Sequence, residues 1–96
     1  MGVAVRWAKS YSIVDHQLLH RGFFQALSVE ALALYLFLVV VADREGKSYY
    51  AEMTITELLR LSPQRYSTAL TELIRHGLVD FRRPFFFVKN LSPRGE

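Results

Sequence analysis

The chain has 96 residues, of which 51% are apolar and 14% aromatic, with a net charge of +3 and no cysteine. That length and composition give one domain with a single modest core and exclude a disordered chain. The lack of cysteine excludes disulfide frameworks, thiolate nucleophiles and cysteine-based zinc sites.

Residues 3–7 alternate Val3, Val5 and Trp7, the pattern of a short strand or an ordered arm. Residues 15–20 predict one or two helical turns capped by Asp15, with Leu18 and Leu19 turned inward and Arg21-Gly22 as the stop. Ser28 is an N-cap and Glu30 lies in the first turn, where a helix favours negative charge, so a helix is expected from there to about Asp43. Its apolar residues encircle it, and a helix apolar all round is buried on more than one side. The second side then meets the N-terminal segment or another subunit. Val39-Val40-Val41 also suits a strand, but the length of the run and the cap favour helix.

Residues 43–47 form a polar turn and residues 48–51 a candidate strand. Thr54 and Glu57 have capping-box spacing for a helix that ends near Arg60. Ser62 caps the next helix with Pro63 at its first position, and His76-Gly77 ends it. Tyr66, Ala69, Leu70, Leu73 and Ile74 repeat at the helical period as its inner face. Residues 78–82 and 85–89 are two strands of a hairpin around Arg83-Pro84. Three Phe residues in a row, 85–87, put at least one ring on the side away from the core. Exposed aromatic rings mark interfaces, and with the all-round apolar helix this predicts self-association, as a symmetric homodimer.

Positive charge gathers late. Residues 1–27 carry +2, residues 28–61 carry −2, and residues 62–96 carry +3. The longest apolar run, residues 31–42, is shorter than the ~20 residues a membrane span requires. No secretory leader is expected in residues 1–9, and a cytoplasmic location is. His16 and His20 are spaced to share a helical face, but no third metal ligand is spaced nearby. With no phosphate-binding loop, nucleotide fingerprint or nucleophile elbow, the expectation is a binding protein, not an enzyme, with no cofactor and no metal.

The order helix, short strand, helix, tight turn, helix, hairpin is that of a winged helix-turn-helix. The fold class expected is α+β, mainly α, with a three-helix core, a β-hairpin wing and an N-terminal extension. Residues 1–27 form the arm and short helix, residues 28–89 the winged-helix domain, and residues 90–96 a tail or linker. Leu27-Ser28, Tyr35-Leu36, Ala42-Asp43 with Gly46, and Leu61-Ser62 through Leu70, Leu73 and Gly77-Leu78-Val79 resemble a known family. It is the winged-helix domain at the N-terminus of bacterial and phage replication-initiation proteins, of the primosomal DnaD type and of plasmid initiators. Similar patterns occur in transcriptional regulators. Arg60 departs from the resemblance, since such turns often carry Gly.

The outer face of the second helix of the pair, residues 62–76, carries Gln64, Arg65, Ser67, Thr68, Thr71 and Arg75. These groups match major-groove chemistry: Arg for guanine, Gln for adenine, Ser and Thr for bases or phosphates. Arg82 and Arg83 at the hairpin tip would touch backbone or minor groove. Glu72 opposes phosphate and is expected to face away or to pair with Arg75 or His76. The expected partner is double-stranded DNA, in replication initiation or transcription regulation. The alternative is an interaction module that uses the same fold to oligomerise or to dock a partner protein.

Overall fold

A computed structural model describes residues 11–91. Five helices and three strands follow in chain order. They are α1 (Gln17–His20), α2 (Phe23–Ala26), α3 (Val29–Val41), β1 (Lys47–Ser48), α4 (Glu52–Leu59), α5 (Pro63–Arg75), β2 (Val79–Arg82) and β3 (Phe85–Val88). The strands form one antiparallel sheet in the order β1-β3-β2. The fold is therefore α+β, with helices packed on one face of a small antiparallel sheet. Among the described residues no helix is long and apolar enough to cross a membrane. The expected arm at residues 3–7 lies outside the described residues.

Local chemistry starts the two long helices. Ser28 Oγ accepts from the Ala31 N–H, and Ser62 Oγ accepts from the Arg65 N–H, with Pro63 in the first turn of α5. The Ser28 cap has a second half that comes from elsewhere in the chain. Both the backbone N–H and the Oγ–H of Ser28 donate to Glu72 Oε1, each at 3.0 Å. In a capping box the residue three positions on would supply that carboxylate; here α5 supplies it across 44 residues. Glu72 thus pairs with neither Arg75 nor His76 through its carboxylate. Only its backbone carbonyl meets His76, 2.9 Å from Nδ1.

The core draws on residues from Leu18 to Leu91. Ala31, Leu34, Tyr35, Leu38 and Val39 from α3 are buried with Ile55 of α4, with Tyr66, Ala69 and Leu73 of α5, and with Leu78, Val79 and Phe86. Leu18, Phe23, Leu27 and Leu91 belong to the same cluster, so the core extends on both sides of residues 28–89. Arg21 ties the two ends of the described chain by donating to the Leu91 carbonyl at 3.0 Å.

Several expectations need correction. Leu18 is buried but Leu19 is 61% exposed, because a helix of only four residues turns one of two adjacent side chains outward. Ile74 is 42% exposed and lies at the edge of the inner face of α5, whereas Leu70 packs against the core. Helix α3 ends at Val41, two residues early, where Ala42 turns extended. Helix α4 begins at Glu52 behind Ala51, which makes no side-chain cap, so Thr54 lies inside the helix and the Thr54–Glu57 capping box does not form. The strand expected at residues 48–51 is Lys47–Ser48, paired with Phe87 and Phe86. Helix α2, a single turn after Gly22, was not foreseen.

Two turns demand unusual backbone. Gly46 has φ +82°, and a Cβ there would lie 2.6 Å from the Val88 carbonyl oxygen, so only glycine fits where β1 meets β3. Arg60 has φ +59° at the end of α4, the left-handed position that glycine usually fills. A residue with a side chain at this position therefore carries a backbone cost.

Two measurements follow. Glu72→Ala should lower unfolding free energy by about 1–2 kcal/mol, because it strips the carboxylate from the Ser28 N–H. Glu72→Gln, which keeps an acceptor oxygen, should lose less in the same urea titration. Arg60→Gly should raise stability by up to about 1 kcal/mol by relieving the left-handed strain, a shift readable as an increased urea midpoint.

Candidate functional site

Gln64, Arg65, Ser67, Thr68, Thr71 and Arg75 are all exposed on α5. They do not form one face. At about 100° per residue, Gln64, Thr68, Thr71 and Arg75 line up as a ridge opposite the buried Tyr66, Ala69 and Leu73. Arg65 is displaced onto the flank that also carries Ala69 and Glu72, and Ser67 lies on the other flank.

Helix α3 meets the Arg65 flank with its first turn. Ser28 bonds Glu72, and Glu30 Oε2 lies 3.6 Å from Arg65 Nη1. A cleft of about 420 Å³ opens there, lined by Ser28, Glu30, Gln64, Arg65, Thr68 and Glu72. Its two carboxylates repel an anion from that side. Thr68 Oγ donates to the Gln64 carbonyl at 3.1 Å, which spends the hydroxyl proton inside the helix and leaves oxygen lone pairs outward.

The hairpin cations are both exposed and both lie against rings. Arg82 pairs with Asp80 at 3.4 Å and its guanidinium lies 5.6 Å from the Phe87 ring centre. Arg83 lies 5.7 Å from the Phe81 ring centre. Burial, then the Glu52 charge, raises the Tyr66 pKa, and the Arg83 charge partly offsets them. Arg82 belongs to the sheet face that carries Phe87. The Arg83–Pro84 peptide at the tip is cis.

Residues that the sequence did not single out complete the picture. Lys47 of β1 and the adjacent Tyr49 flank Phe85 across the sheet, and Glu30 modulates Arg65. Only cross-strand and inter-helix register brings these groups together, so no local signal marks them. His16 and His20 meet edge to face with ring centres 6.4 Å apart. Among the described residues no three His, Cys, Asp or Glu side chains converge on a metal position. A groove of about 980 Å³ lies away from α5, between residues 11–17, the C-terminal end of α3 and the end of β3.

Burial raises the pKa of Tyr35 and of Tyr66, with Asp15 adding to the first and Glu52 to the second. A raised folded-state value means that the fold holds the phenol proton more tightly than the unfolded chain does. That contribution is fully present below the unfolded value of about 10 and disappears as pH rises through the folded values. Stability should therefore fall above about pH 10, with part of the phenolate absorbance appearing only together with the loss of near-ultraviolet circular dichroism.

Compared with known proteins, the chain matches no family model, no curated protein and no solved structure.

Proposed function

We infer that this chain is a winged-helix domain that binds double-stranded DNA, as a module of a replication-initiation or transcription-regulatory protein. The observation that carries the reading is the α5 ridge. Gln64, Thr68, Thr71 and Arg75 stand exposed along one line of a helix whose opposite side is buried, directly after the tight turn from α4. Such a ridge fits a major groove, with Gln64 placed for a base edge and Arg75 for phosphate. Arg83, exposed at the hairpin tip, adds a cation for backbone or minor groove. Glu30 and Glu72 on the α3 flank tilt the duplex toward the Thr71 and Ser67 side.

A second reading, an interaction module, has its own support. Val29, Leu36 and Val40 are exposed on α3, with Ala33 half-buried between them. Their spacing of four, three and four residues makes one apolar line, the kind a second helix covers.

Titration of a mixed-sequence duplex between about 50 and 200 mM salt separates the two. A DNA reader loses affinity steeply across that range. Arg75→Ala should weaken binding and lower the log–log salt slope by about one, and Gln64→Ala should cost about 1–3 kcal/mol on a preferred sequence. Glu30→Gln should strengthen binding by removing a carboxylate beside Arg65. Affinity indifferent to salt and to all three changes, together with a dimer that Leu36→Glu dissociates, would favour the interaction module.

A further inference from the structure

The face of the sheet turned away from the core has a chemistry of its own. Directly paired residues share a face, so Phe86 points inward with Phe81 and Ser48, while Phe87 points outward with Asp80 and Lys47. Phe85 and Arg82 form the next outward pair. Tyr49 stands edge-on to Phe85 with ring centres 6.3 Å apart. The solvent side of such a sheet normally carries polar residues. Here two half-buried Phe rings are covered by cations: the Lys47 ammonium lies 4.3 Å from the Phe85 ring centre, and the Arg82 guanidinium lies over Phe87.

This pattern selects among occupants. A second copy of the same face would set a surface with two cations and one carboxylate against another of the same net positive charge, in a desolvated interface. The carboxylate on the face, Asp80, meets Arg82 only in an exposed 3.4 Å pair, weak enough for a phosphate to compete for the guanidinium. A flat, anionic partner satisfies rings and cations together. Bases displace the cations from the ring faces, since base stacking outweighs an exposed cation–π contact, and the displaced cations turn to the phosphates. Bases in a duplex are already stacked and cannot enter. The geometry points to this face as a site for single-stranded DNA, with bases on Phe85 and Phe87 and phosphates on Lys47 and Arg82. The choice of DNA over RNA rests on the duplex reading of α5; the stacking does not.

The test titrates the full chain with a labelled oligothymidine of about twelve nucleotides, and in parallel with duplex. The double variant Phe85→Leu, Phe87→Leu keeps apolar bulk and loses the rings. It should bind the single strand at least about tenfold more weakly and leave duplex affinity unchanged. Phe85→Tyr with Phe87→Tyr should retain single-strand binding. Arg75→Ala should do the reverse of the Leu pair, so failure of the α5 reading and failure of this one look different. In the unaltered chain, the ring protons of Phe85 and Phe87 should shift in the NMR spectrum on adding oligothymidine, which keeps the test valid if the Leu pair folds poorly. Absent ring shifts, or single-strand affinity equal in the folded Leu pair, overturn the site. A dimer that the Leu pair dissociates overturns it in favour of a second copy. Tighter binding of oligouridine overturns the choice of DNA.

Discussion

The rotation of α5 decides the candidate site, and the Glu72 carboxylate on the Ser28 cap agrees on it with the burial of Tyr66, Ala69 and Leu73. Glu72 stands at the border between the buried and exposed sides of α5. With Tyr66, Ala69 and Leu73 in the core, it lies against the first turn of α3. By the same rotation Gln64, Thr68, Thr71 and Arg75 must face solvent. The bond also places the charge well: the carboxylate lies at the N-terminus of α3, where backbone N–H groups and the helix dipole favour it.

A comparable division runs through the hairpin. Alternation along β3 sends Phe86 into the core, stacked on Phe81 with ring centres 4.7 Å apart, and sends Phe85 and Phe87 to the other side. Phe81 and Phe86 secure the hairpin to the helices, which is what permits the neighbouring rings to be surface. Gly46 then lets β1 approach β3 closely enough to bring Lys47 beside Phe87 and over Phe85. One strand therefore anchors the sheet and supplies its outward chemistry.

Where local chemistry decides, the sequence was readable. Ser28 and Ser62-Pro63 each announce a helix start, and the structure uses both serines as caps. The stop at His76-Gly77 and the hairpin around Arg83-Pro84 lie where turn residues put them. Where distant parts decide, it was not. Thr54 and Glu57 have the spacing of a capping box, yet α4 starts at Glu52 without one. The outward ridge of α5 and the displacement of Arg65 from it could be drawn from the period, but the pairing of Arg65 with Glu30, 35 positions earlier in the chain, could not. That a ring of residues 85–87 points away from the core was readable, but not which one; Lys47 and Arg82 beside Phe87 are products of register.

The two surfaces make different demands on charge. The α5 ridge has one cation, Arg75, and relies on Arg83 and on distance from Glu30 and Glu72 for its sign. The outer sheet face has Lys47 and Arg82 over two rings, and Asp80 pairs with Arg82 there as Glu30 pairs with Arg65 beside α5. Exposed ion pairs of this kind contribute little to stability, so their effect is chiefly on where the charge stands. Arg82 and Arg83, at adjacent positions, lie against Phe87 and Phe81 on opposite faces of the hairpin, so strand alternation divides the two cations as it divides the rings.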